Sequence, residues 1–185
     1  MTVSAPILTL SAAFLLSAWQ PSQLAPAPSA SDLAWMNEDV VYIMTRQERA
    51  AYKDLKTAEE RSEFRKQFWL RRDPTPGTEA NEFKEEHYRR ISYVNAHFPG
   101  ASIDGWKTDR GRIYIVYGPP DEIESHPNGG SAHPFPYEQW LYRHIEDRDN
   151  VVFEFIDPDL NGTYRENPFV RLGPGVPVGP VVKKK

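Results

Sequence analysis

Between residues 45 and 98 apolar side chains recur every three or four positions, and beyond residue 100 they come in short runs or alternate with polar ones. The first spacing is that of a helix face and the second that of strands. Thr45 with Glu48 and Thr57 with Glu60 each form a capping box, a hydroxyl N-cap with Glu three residues on, and so mark two helix starts. Asn37 is a cap for a shorter earlier helix carrying Val40, Val41, Ile43 and Met44. The helix after Thr57 turns Phe64, Phe68 and Trp69 to one side and stops near Arg72, ahead of Pro74 and Pro76. Thr78 then caps the longest helix, whose apolar stripe is Phe83, His87, Ile91, Val94 and Phe98. Its outer face carries Glu85 with Arg89 and Glu86 with Arg90, four apart in the favourable order. Residues 112–117, 138–144 and 151–156 read as strands, the last two joined by the polar turn 146–150. Helices precede strands without alternation, so the expected fold is α+β, with N-terminal helices packed on one face of a small antiparallel meander.

Composition then limits what such a domain does. The chain has 185 residues, 39% of them hydrophobic and 12% aromatic, enough for one real core. Its net charge of -4 gives no reason to expect nucleic acid as a partner. It contains no cysteine, which removes thiolate nucleophiles, cysteine-based metal sites and a lipid anchor on cysteine. Residues 1–30 carry no charged side chain, and 5–19 are an apolar run ending near Leu16-Ser17-Ala18, which reads as an export signal over 1–18. That run is shorter than a bilayer span, so no stable membrane span is expected in the mature chain, which is placed in the periplasm or outside the cell. Residues 19–31 read as a Pro, Ala and Ser linker, 32–172 as the domain, and 173–185 as a Pro and Gly tail ending in lysines.

Candidate chemistry is sparse. Ser102, Ser125 and Ser131 lack the turn that presents a nucleophile, and no Gly-rich phosphate loop or His-Glu-x-x-His helix is present. His126 and His133, in the long loop 119–136, stand at no metal-ligand spacing. Asp157, Asp159 and Asn161 open like a calcium loop, but Pro168 occupies the position of the bidentate Glu. No metal and no cofactor is assigned.

The most concentrated polar stretch is Gly105-Trp106-Lys107-Thr108-Asp109. With Phe68-Trp69, Arg72-Asp73-Pro74, Asn81-Glu82, Gly111-Arg112-Ile113-Tyr114, Tyr117-Gly118 and Pro120-Asp121, in that order, it resembles the GWxTD domain family over roughly 35–164. The resemblance implies an exported bacterial protein and carries no assigned reaction. The residues themselves allow two readings. In one, Gly105 and Gly111 serve backbone turns, Thr108 satisfies turn amides, Trp106 anchors the core through its ring and indole N–H, and Asp109 pairs with an arginine such as Arg72 or Arg89. In the other, Asp109, Asp73 and Asp121 converge with Arg72, Asn81, Glu82 and Arg110 in a cleft for carboxylate-based hydrolysis. The first makes the chain a non-catalytic binding or scaffold module that meets a protein or envelope glycan partner. The second makes it a hydrolase of a glycan or other envelope polymer.

Overall fold

The computed structural model describes residues 28–131 and 133–168. The expected export signal, most of the linker before residue 28 and the tail over 173–185 lie outside the described residues. Among the described residues no helix is long and apolar enough to cross a membrane.

The first element is α1 (Ala30–Ala34), which runs into a π-helical turn at Trp35–Asp39. Its cap is Ser29, whose hydroxyl accepts from the Asp32 N–H while the Asp32 carboxylate accepts from the Ser29 N–H. The two expected capping boxes start α2 (Arg46–Asp54) and α3 (Ala58–Leu70). In both, the threonine hydroxyl accepts from the glutamate N–H at 3.1 Å. The cap of α4 (Glu82–His97) is Asn81, not Thr78. Asn81 Oδ1 accepts from the Lys84 N–H at 2.8 Å, whereas the Thr78 hydroxyl donates to the carbonyls of Thr75 and Ala80. On the outer face of α4, Glu86 takes both Arg89 and Arg90, so the expected pairing of Glu85 with Arg89 does not form.

The main departure from expectation is at residues 112–117, which are helical. They belong to α5 (Asp109–Tyr117). Arg110, Gly111, Ile113, Tyr114 and Ile115 are all buried, so the helix lacks the polar face that would have shown a 3.6-residue period. Its ends decide the conformation. Thr108 caps the start, Gly118 at φ 84 stops it, and Arg90 of α4 donates to the carbonyls of Ile115 and Val116 in the last turn. Tyr142 adds a hydrogen bond to the Gly118 carbonyl at 2.9 Å.

The sheet follows: β1 (Glu122–His126), inside the stretch expected to be loop, then β2 (Tyr137–Ile145), β3 (Arg148–Ile156) and the short β4 (Arg165–Glu166). All neighbours are antiparallel in the order β1-β2-β3-β4, so the fold is α+β with a meander. Opposed residues share a face. Trp140 lies opposite Phe153 and Tyr142 opposite Val151, and these four bury with Val94 of α4 and Ile113, Tyr114 and Ile115 of α5. The helices that share the sheet's core are thus α4 and α5. A second core gathers Trp35, Met36, Val40, Met44, Tyr52, Phe68 and Trp69 from the segments before α4.

Polar bonds join the two cores. Tyr42 donates to the Trp106 carbonyl at 3.0 Å, and His87 Nε2 lies 2.6 Å from the Asp39 carbonyl. A carbonyl only accepts, so Nε2 carries the proton, and burial pushes the pKa of His87 down and keeps the ring neutral. Glu48 works harder than a cap requires. Burial alone would raise its pKa, but bonds from Arg72 at 2.7 Å, the Thr45 N–H and Arg71 at 3.0 Å outweigh it and hold the carboxyl at about 2. Arg72 also donates to the carbonyls of Ile43 and Phe68 and lies over the Phe68 ring, tying α2 to α3.

A depressed folded pKa makes stability that is complete above the unfolded value of 4.5 and is lost as pH falls toward 2. Glu48→Gln keeps a capping side chain and removes the charge. Urea unfolding of the wild type is expected to lose about 2–3 kcal/mol from this group between about pH 6 and pH 2, a component that Glu48→Gln lacks.

Candidate functional site

The segment 105–111 is a junction built by close backbone approach. Gly105 opens a 3-10 turn (Gly105–Lys107) that lies directly on α4, and a Cβ there would overlap the Val94 carbonyl oxygen. The Gly105 carbonyl in turn sits against Gly111, where a Cβ would overlap that oxygen. Thr108 locks the stack. Its hydroxyl accepts from the Gly111 N–H at 3.0 Å and donates to the Gly105 carbonyl at 2.7 Å. Trp106 bonds through its main chain: the N–H donates to Asn95 Oδ1 of α4 at 2.9 Å, and the carbonyl accepts from Tyr42. Its half-buried ring packs at the edge of the sheet core.

Asp109 pairs with neither Arg72 nor Arg89. Its Oδ2 accepts from the Glu166 N–H of β4 at 2.9 Å, and its Oδ1 lies 3.5 Å from Arg112, one turn along α5. The local arginine wins because it sits three residues away on the same helix. Arg72 is held by Glu48.

The other signature residues fall at two further junctions. Between α3 and α4, Asp73 Oδ1 accepts from the Thr75 N–H at 3.0 Å, Thr75 donates to Glu82, and Asn81 Nδ2 donates to the Trp69 carbonyl at 2.8 Å. Between α5 and β1, Tyr117 stacks on Phe153, Gly118 and Pro120 make the bend, and Asp121 Oδ2 accepts from the Arg143 N–H of β2 at 2.7 Å. Asp73, Asp109 and Asp121 therefore stand one at each junction, each accepting from a main-chain N–H. That is the chemistry of turn fixation.

The residue that sequence reasoning missed is Glu154 on β3, only 2% exposed. It lies opposite Gln139, on the sheet face away from α5. Gln139 donates to it at 2.7 Å and Asn167 at 2.8 Å, and His133 Nε2 lies 2.8 Å away. Burial alone would raise its pKa, and these three bonds outweigh burial and hold it below the usual carboxylate range. The network fastens both the loop after β1 and the chain beyond β4 onto the sheet. His126 stacks on Tyr137 at 4.2 Å and pairs with Glu124, so the two loop histidines face different carboxylates. Among the described residues no three His, Asp or Glu side chains gather as a metal site requires. A hollow of about 320 Å³ opens beside the network, lined by His133, Phe135, Ile156, Arg165 and Asn167 among others. None of Asp73, Asp109 and Asp121 lines it.

Three substitutions separate these devices. Gly111→Ala is expected to destabilise by about 3 kcal/mol or more, because the added methyl meets backbone that cannot swing aside. Asp109→Asn keeps an acceptor for the Glu166 N–H and is expected to cost less than about 1 kcal/mol. At the buried network, Glu154→Gln places an amide donor against donors and is expected to cost about 2 kcal/mol. Chemical denaturation followed by tryptophan fluorescence measures all three.

The family model for the GWxTD domain matches residues 22–171, which contain every element above and each of the three junctions. No curated protein and no solved structure matches the chain. On the extent of that family match and the ordered set of its motifs, the chain belongs to the GWxTD domain family.

Proposed function

We propose that this chain is an exported, non-catalytic binding or scaffold module of the cell envelope. The observation that carries the reading is the placement of Asp73, Asp109 and Asp121 at three separate junctions, each bonded to a main-chain N–H. A glycosidase needs two carboxylates facing each other across a cleft, about 5–10 Å apart, one of them with a raised pKa. Here the signature carboxylates hold turns, and the buried Glu154 is kept ionised by its donors. The uncharged, apolar N-terminal stretch supports export. The partner is an envelope glycan or an envelope protein.

Co-sedimentation of the full chain with purified envelope glycan and with envelope protein extract tests this. Saturable binding to one of them is expected, unchanged by Asp109→Asn, with no reducing ends released. Release of reducing ends that Asp109→Asn abolishes at an unchanged unfolding temperature would overturn the proposal.

A further inference from the structure

We infer that the hollow between the π-helical turn, α3 and α4 is a binding site for a sugar that carries a carboxylate. This deepens the binding-module reading and rests on its glycan branch. The hollow measures about 430 Å³, within the range of small-ligand sites and ample for one or two pyranose rings. Its floor is aromatic. Trp35 follows α1, Trp69 ends α3, and Tyr88 of α4 lies 5.7 Å from Trp69, all three lining the space. Trp35 and Trp69 are mostly buried and Tyr88 is half-buried, so the apolar C–H groups of a pyranose ring meet only the part of each ring that the hollow leaves open.

The rim is cationic, and among the described residues no carboxylate lines the hollow. Arg65 is already neutralised: it pairs with Asp32, donates to the Tyr52 hydroxyl at 3.1 Å, and stands 5.6 Å over the Trp35 ring as a fixed wall. Lys66 and Lys84 are different. Among the described residues neither has an ion-pair partner, and both are exposed at the rim, one from α3 and one from α4. Lys84 lies 6.0 Å over the Trp69 ring.

The place of Lys84 is itself informative. It is the third residue of α4, and its N–H is the one that Asn81 caps. A cation in the first turn of a helix opposes the macrodipole. Asn81 also donates to the Trp69 carbonyl, so a single side chain ties the main chain at Trp69 to the main chain at Lys84. Leu70, 48% exposed one helical turn beyond Lys66, adds an apolar lip for a methyl or acetyl substituent. An aromatic floor, an apolar lip and two unpaired ammonium groups match an amphipathic ring with one negative charge. A bare phosphate would leave the floor unused, and a neutral sugar would leave the lysines unused.

The test is a two-dimensional NMR titration of the full chain with N-acetylmuramic acid, glucuronic acid and N-acetylglucosamine. At least one acid is expected to shift the Trp35 and Trp69 indole resonances saturably, while the neutral sugar binds at least about tenfold more weakly. The identity of the acid that binds tells a lactyl carboxylate from a ring carboxylate. Both lysines are exposed, so Lys66→Gln with Lys84→Gln is expected to keep the unfolding temperature and to weaken the acid about tenfold or more. Equal binding of the neutral sugar, no shift with either acid, or an unchanged affinity in the double variant overturns the site. Glycan co-sedimentation that survives in the double variant likewise overturns it and leaves the binding-module reading in place.

Discussion

Two glycines set how closely this chain can approach itself, and most of the architecture follows from that approach. Gly105 lies on the backbone of α4, Gly111 lies on the carbonyl of Gly105, and the Thr108 hydroxyl bonds to both partners. Three layers of main chain are thereby stacked with no side chain between them. Because α4 and α5 are held at this distance, Val94 and the isoleucines of α5 reach the same aromatic cluster on β2 and β3. A side chain at either glycine would part the two helices and open that cluster. The tryptophan and the aspartate of the same segment extend the junction outward, through the Trp106 carbonyl to Tyr42 and through the Asp109 carboxylate to β4.

The two cores are coupled by polar atoms as well as by the Tyr42 ring, which packs against the sheet core. The Asp39 residue at the end of the π-helical turn receives His87 on its carbonyl and Tyr88 on its carboxylate, both from α4. Tyr42 reaches the 105–107 turn just after. Arg72 and Glu48 perform the same task inside the second core, where a charged pair bridges α2 and α3 and also satisfies carbonyls. Directional bonds of this kind give orientation where a hydrophobic contact alone would allow sliding.

What was legible in the sequence was local. The capping boxes at Thr45 and Thr57 were readable because their chemistry is complete within four residues. The start of α4 was displaced by three residues because Thr78 and Asn81 are both cap types. A distant contact, Asn81 to the Trp69 carbonyl, distinguishes them. Helix α5 reads as a strand in the sequence because burial on most sides removes its period and Ile, Val and Tyr favour strands elsewhere. Its true signals are its ends, Thr108 as the cap ahead of Asp109 and Gly118 behind Tyr117. Strand β1 has a single apolar residue, Ile123, and sits at a sheet edge, so no alternation marks it. At the candidate site the turn-forming roles of Gly105, Thr108 and Gly111 were readable, while the partner of Asp109 was not, since its acceptor bond comes from 57 residues away. Glu154 had left one trace, a charge set among Val, Phe and Ile in a strand, which in a buried position demands donors from elsewhere.

The helix made of strand-favouring residues has a consequence for how this protein fails. Residues 112–117, Arg-Ile-Tyr-Ile-Val-Tyr, have the β-branched and aromatic content, low charge and absence of Gly and Pro that mark segments able to stack as intermolecular strands. In the folded chain that tendency is hidden because the caps at Thr108 and Gly118 and the bonds from Arg90 enforce a helix. The open edge of β1 is a template of the matching kind. Loosening the glycine junction would release a segment that seeks a strand beside an edge that accepts one. Its characteristic failure is therefore self-association, with the native helix serving as the safeguard.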